Sequence, residues 1–142
     1  VGECRGGEAL DMLQAMNTGH EGSMTTVHAN NTDEAISRLE TLVMMSGMEL
    51  PTIAIRRQIA SSVDIIVQQT RYSDGSRRVS QISEVVELKE NGDIRVEDIY
   101  QFKQTGLDEN QKVQGYFMST GYLPTFLNDF IVQGLATEED FF

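Results

Sequence analysis

The chain has 142 residues, 39% of them hydrophobic, which suits one domain or a substantial piece of one and excludes disordered, collagenous and fibrous classes. Eleven Lys and Arg against 22 Asp and Glu give a formal charge of −11, which repels a phosphate backbone and argues against nucleic acid as the main partner. The single cysteine, Cys4, leaves no internal disulfide and no CxxC metal pair, so a reducing cytoplasm is the default; no apolar run approaches the roughly 20 residues of a bilayer span.

The opening Val1-Gly2-Glu3 reads as the end of a buried strand, and the chain is expected to be a C-terminal fragment. Gly6-Gly7 then precede a helix over Glu8–Asn17, where Ala9, Met12, Leu13 and Met16 recur at helical spacing before the stop at Gly19. Ser23–His28 is β-branched and flanked by Gly22 and Asn30-Asn31, which predicts a short strand with His28 at its C-terminal end. Asn31 with Glu34 three residues on starts a second helix, whose Ala35, Ile36, Leu39, Leu42 and Val43 share a face and which ends at Ser46-Gly47. Pro51 pre-sets the first turn of a third helix running to about Ser61.

Strand patterns follow: Val63–Gln68 extending to Tyr72, a turn at Ser73–Ser76, Arg77–Leu88, a turn at Asn91-Gly92, and Ile94–Phe102. This predicts a three-strand antiparallel meander. The polar, Gly-containing Gln104–Gly115 reads as a loop, Pro124 opens a last short helix over Thr125–Gln133, and the acidic Thr137–Asp140 stretch reads as a solvated tail. Helix and strand alternating, then a meander, indicate an α/β core with an antiparallel appendage.

The first 30 residues hold the densest chemistry. Ligands of open α/β sheets collect at the carboxyl ends of strands, where Glu3 and His28 both fall. A carboxylate there can orient or deprotonate a water or hold Mg²⁺ through water, and an imidazole can donate to negative charge on a phosphoryl oxygen.

The string from Val1 through Glu3-Cys4-Arg5-Gly6-Gly7-Glu8 to Gly19-His20-Glu21-Gly22 and Thr25-Thr26-Val27-His28-Ala29-Asn30 closely resembles the Walker B and His-box stretch of the type II/IV secretion ATPases. The similarity is to the CpaF-like branch that powers Tad (Flp) pilus assembly. It continues through Arg56–Ser61, Ser73–Arg78 and Phe102–Thr120.

The resemblance implies the C-terminal part of a RecA-like P-loop ATPase core, over residues 1–72, with an antiparallel meander and a small helical C-terminal subdomain over 73–142. It implies Glu3 as the Walker B acid orienting water near Mg²⁺, Arg5 as the arginine of that motif, and His20 and His28 as the His box near the γ-phosphate. It further implies ATP hydrolysis, a homo-hexamer peripheral on the cytoplasmic face of the inner membrane, and platform-protein partners for pilus assembly or secretion. Cys4 stands where the family usually has an aliphatic residue. The P-loop GxxxxGK[ST] is missing, since the chain contains no Gly-Lys pair, and the N-terminal domain and Asp box would lie upstream, so the fragment alone should not turn over ATP.

Blander readings stand beside these. Glu3 can be a capping carboxylate, His28 a satisfied strand-end histidine, and His20 a loop former. Arg5 can pair structurally with Glu8 or Asp11. Arg56-Arg57 and Arg77-Arg78 read as exposed basic pairs, with a neighbouring subunit or acidic lipid as the alternative contact. A zinc site of Cys4, His20 and His28 matches no common ligand spacing. Rival functions are a non-catalytic oligomerisation or docking module and a metal-dependent hydrolase using His20, His28 and Glu3. Unpaired strand edges predict a poorly stable or self-associating fragment.

Overall fold

The computed structural model describes residues 2–18 and 22–142. Three helices, α1 (Glu8–Asn17), α2 (Thr32–Met44) and α3 (Thr52–Ser62), precede four strands, β1 (Ile65–Arg71), β2 (Arg77–Leu88), β3 (Ile94–Leu107) and β4 (Val113–Ser119). A short helix α4 (Leu127–Val132) and a 3-10 turn (Glu138–Phe141) follow. The elements make a mixed α/β chain whose residues group into two compact units, Val1–Asp64 with Val85–Arg95 and Ile65–Glu84 with Val96–Phe142.

The first unit is built on α1, which packs against both α2 and α3. Its apolar residues at helical spacing, Ala9 and Leu13 above all, meet Leu42 and Val43 of α2 and Ile55 and Ile59 of α3 in one buried cluster. Gly7 lets the start of α1 sit against the turn after α2, because a Cβ there would stand 3.0 Å from the Ser46 Cα. The Asn31 side chain caps α2 by accepting the Glu34 N–H at 2.8 Å, and the Glu34 carboxylate accepts the Asn30 N–H at 3.0 Å, two orphan donors satisfied reciprocally. Ser62 Oγ at the end of α3 donates to the Leu13 carbonyl at 3.0 Å.

Pro51 is the residue before α3, with extended ψ of 144°, and not a member of its first turn. Arg56 is no simple surface cation: its Nε donates to Glu40 at 2.8 Å and its Nη1 to the Gly92 carbonyl at 3.0 Å.

The expected strand over Ser23–His28 is corrected. The segment is extended but is not a strand among the described residues, where Cys4 N–H donates to the Thr26 carbonyl at 2.9 Å. A ladder needs successive bonds along both chains.

Most of the four-stranded sheet, in the order β1-β2-β3-β4, lies in the second unit. The expected three-strand meander is therefore short by one strand, and the expected Gln104–Gly115 loop is instead the end of β3, a five-residue connection and the start of β4. The pairing shifts register between Gln104 and Gly106, and Gly115 lies where a Cβ would be 2.3 Å from the Lys103 carbonyl oxygen.

Two carboxylates organise the sheet. Asp98 accepts from Ser83 Oγ, Gln81 Nε2 and Gln101 Nε2, each at 2.7 Å. Burial raises its pKa, but those three hydrogen bonds more than offset this and hold it below the ordinary value. Buried Glu84 accepts from the Tyr122 hydroxyl at 2.8 Å, the Thr125 N–H at 3.0 Å and the Thr125 hydroxyl, fastening the segment ahead of α4 to β2. That last helix is shorter than the expected Thr125–Gln133.

The acidic C-terminal stretch is not a free tail. Thr137 and Asp140 form a capping box, Tyr100 donates to the Asp140 carbonyl at 2.5 Å, and the Phe141 ring stacks on Tyr100 at 6.1 Å.

Candidate functional site

Glu3 lies in the extended segment before α1. Residues 2–5 are held to residues 24–28 by the Cys4-to-Thr26 backbone bond and by the Thr26 hydroxyl, which donates to the Gly2 carbonyl at 2.6 Å. Because side chains alternate along an extended segment, Thr26 and His28 share one side and Val27 the other, where it packs on the helical core. His28 thereby reaches Glu3.

The Glu3 carboxylate is held at both oxygens. Oε1 lies 2.8 Å from His28 Nε2, and Oε2 accepts from Arg5 Nη2. The Glu3 side chain is 22% exposed, whereas His28 and Arg5 are 89% and 77% exposed, so a shielded anion sits under two solvent-facing nitrogen groups. The hydrogen bond from Arg5 is the main reason its pKa falls below the ordinary carboxylate value; partial burial opposes this, and the charges of Arg5 and His28 add to it. Arg5 is pushed up correspondingly.

Glu8 performs a separate task. Its Oε1 accepts the Arg5 N–H at 2.8 Å and the Gly6 N–H at 3.2 Å, which fixes the turn that carries Arg5 and lowers the Glu8 pKa. Arg5 pairs through its side chain with Glu3; the alternative ionic partners Glu8 and Asp11 do not take that role. Cys4 is buried in the helical core with its thiol pKa raised by burial, then by nearby Glu8, so it is an inert filler.

Of the four residues singled out from sequence, Glu3, Arg5 and His28 come together. His20 lies outside the described residues. Sequence reasoning missed Thr26 and Glu8 as the groups that set the geometry. The signal for Glu8 was an acid at the first position of a helix, where it meets free N–H groups. Thr25, next to Thr26, has a buried hydroxyl oxygen without a hydrogen-bond partner.

Among the described residues no three His, Cys, Asp or Glu side chains cluster as a metal cage. Glu3 offers a lone carboxylate, which suits Mg²⁺ held mainly by water and phosphate oxygens and does not suit zinc. No helix among the described residues is long and apolar enough to cross a membrane.

Residues 1–113 match the family described as "Type II/IV secretion system protein". The chain is 38% identical over 91 residues to the conjugal transfer protein TrbB of Rhizobium radiobacter, covering 64% of this chain and 27% of that protein. It is 40% identical over 81 residues to the type IV secretion system protein PtlH of Bordetella pertussis, covering 55% and 24%. In three dimensions it resembles the crystal structure of the VirB11 ATPase from the Brucella suis type IV secretion system, with a TM-score of 0.53, 33% identity, and coverage of 57% of this chain and 26% of that one. The chain thus spans about a quarter of the length of these relatives.

Proposed function

The chain belongs to the type II/IV secretion system protein family, and on that premise we propose that it supplies the water-orienting carboxylate of an ATP-hydrolysing secretion motor. The observation that carries this reading is Glu3, an ionised carboxylate clamped between His28 Nε2 and the Arg5 guanidinium. Within it, residues 1–72 are part of a RecA-like P-loop core and residues 73–142 a meander and C-terminal subdomain. The motor is of the CpaF-like branch, which drives Tad pilus assembly or protein secretion. It works as a homo-hexamer, peripheral on the cytoplasmic face of the inner membrane, against platform proteins.

The chemistry follows from the chain's own groups. A carboxylate with a lowered pKa stays ionised and accepts a hydrogen bond from water, so Glu3 orients the nucleophile more than it strips its proton. Each oxygen has one protein partner and keeps a further lone pair with which to accept a hydrogen bond from water. His28 Nε2 and the Arg5 guanidinium, both solvent-facing beside Glu3, are the groups placed to meet a phosphoryl oxygen. His20, the other His-box residue, is proposed to serve the same nucleotide-linked movement. Mg²⁺, when bound with the phosphates, would neutralise their charge, with Glu3 as an outer ligand through water. The chain has no Gly-Lys pair, so residues outside it must cradle the phosphates.

In the full polypeptide, Glu3→Gln should leave ATP binding intact and reduce hydrolysis about 10²-fold or more; wild-type turnover in that variant removes Glu3 from the reaction. The second reading is a non-catalytic docking or oligomerisation module. ATP-independent binding to a motor ring by the 142-residue chain, with Glu3→Gln silent in every assay, would select it.

A further inference from the structure

The second compact unit segregates its charges. Its five cations, Arg71, Arg77, Arg78, Lys103 and Lys112, all lie at one end of the sheet, where β1 ends, β2 begins, β3 ends and β4 begins. None of them forms an ion pair with a described carboxylate. Only three of the unit's ten carboxylates, Asp74, Asp108 and Glu109, lie at that end, and the first two are occupied by backbone N–H groups. In a chain of net charge −11 this is a basic island.

Three of the cations also share a face. Arg71 stands directly opposite Arg77 in the β1–β2 register, a like-charge pair that disfavours the fold unless an anion is shared between them. Arg78 points to the other face and lies over the Phe102 ring at 5.3 Å, so Lys103, next after Phe102, is on the Arg71 and Arg77 face together with its register partner Tyr116. Val67, 56% exposed, and Tyr116, 50% exposed, add apolar surface to the face that carries these three unpaired cations.

The opposite charge stands elsewhere on the same unit, in a preformed knob. The 3-10 turn Glu138–Phe141 is held by its capping box, by the Tyr100 hydroxyl and by the Tyr100–Phe141 stack, and Ser119 Oγ donates to the Phe141 carbonyl. Ser119 ends β4, whose start lies in the basic island about 20 Å away at the rise of a strand. Glu138 and Glu139 are exposed and form no ion pair with a described cation, and the Phe142 ring is 74% exposed.

We infer that the Arg71–Arg77–Lys103 face of one copy receives the Glu138–Glu139–Phe142 knob of a second copy. The two surfaces match in charge and in apolar content, and they sit apart on one unit, so the contact is head-to-tail. Such heterologous contacts propagate and close into a ring when the rotation allows. The inference rests on the ring reading above only in requiring that copies meet.

The test is sedimentation of the full polypeptide with charge-reversed variants, Arg71→Glu with Arg77→Glu on one side and Glu138→Lys with Glu139→Lys on the other. Each variant alone should self-associate about tenfold more weakly than wild type, and an equimolar mixture should regain a hetero-complex, more strongly at low salt. Variants that assemble like wild type, or a mixture that stays dissociated, overturn the contact and leave the ring reading standing. A wild-type protein monomeric with and without ATP overturns both. Phosphatidylglycerol vesicles bound by wild type but not by the arginine variant, with assembly unchanged, would assign the basic face to lipid and overturn the contact.

Discussion

The Val113 N–H at the start of β4 donates to the Asp74 carboxylate at 2.9 Å, across 39 residues of chain. Asp74 sits in the turn between β1 and β2 and also accepts the N–H and hydroxyl of Ser76, at 2.8 and 2.5 Å. Arg78 Nη2, from β2 just after that turn, donates to the Val113 carbonyl at 3.2 Å, so both backbone groups of Val113 are met by one hairpin. First and last strands of the sheet are thereby tied at one end, with Tyr72, Phe102 and Phe117 packed edge to face beside them.

These bonds, from the Ser76 hydroxyl first and then the Val113 and Ser76 N–H groups, hold the Asp74 pKa down from 3.8 to about 2. A depressed carboxylate stabilises the fold fully above its unfolded pKa, and that stabilisation disappears as pH falls from about 4 to about 2. Urea unfolding of wild type and Asp74→Asn should differ most at neutral pH, and the difference should close over that interval. A constant gap down to pH 2 would mean that the ionised form is not what matters.

Gly115→Ala should destabilise the second unit by about 2–3 kcal/mol, because overpacking forces backbone to move. Its Cβ would meet the Lys103 carbonyl at 2.3 Å and the Phe102 ring at 2.6 Å. Thermal melts compared with Gly121→Ala, where a Cβ meets nothing but φ is +85°, would separate close approach from backbone preference.

Glu84→Ala should cost about 3 kcal/mol, since it leaves the Thr125 N–H and hydroxyl and the Tyr122 hydroxyl without their shared acceptor. Glu84→Gln keeps one acceptor oxygen and should cost less. Amide exchange read at Thr125 should accelerate in both; unchanged protection there would show that the carboxylate does not hold the segment.

Arg5→Ala should raise the Glu3 pKa towards the ordinary carboxylate value, and more than His28→Ala does, because the Arg5 hydrogen bond is the largest lowering influence. A carbon-13 pH titration of the Glu3 carboxyl reads this directly. Equal shifts in the two variants would mean that the guanidinium is held by solvent and not by Glu3.

The helices were legible because one side of each is buried, and β2 because its apolar residues are β-branched. The spacing of Ala9, Met12 and Leu13 predicts α1 over its observed bounds, and Val79, Ile82, Val85 and Val86 between two turn signals do so for β2. The outer half of β3 and nearly all of β4 are exposed, so no apolar alternation marks them, and Gln104–Gly115 reads as a loop. The Ser23–His28 segment shows the converse: its β-branched residues do favour an extended chain, but extension becomes a strand only with a partner ladder.

By itself the sequence determined the family, because Glu3, Arg5 and His28 lie in strings whose residue order carries the resemblance, and it determined the helices, because their period is local. Only the tertiary structure decided that His28 closes on one oxygen of Glu3 and Arg5 on the other, that Glu8 holds the turn and does not pair with the Arg5 guanidinium, and that Arg71, Arg77 and Lys103 of the second unit gather on one sheet face. The contact of Glu3 with His28 and the approach of Lys103 to the Arg71 and Arg77 face join residues tens of positions apart, and the choice of Glu3 over Glu8 as the partner of Arg5 depends on side-chain direction, so sequence spacing alone fixes none of them.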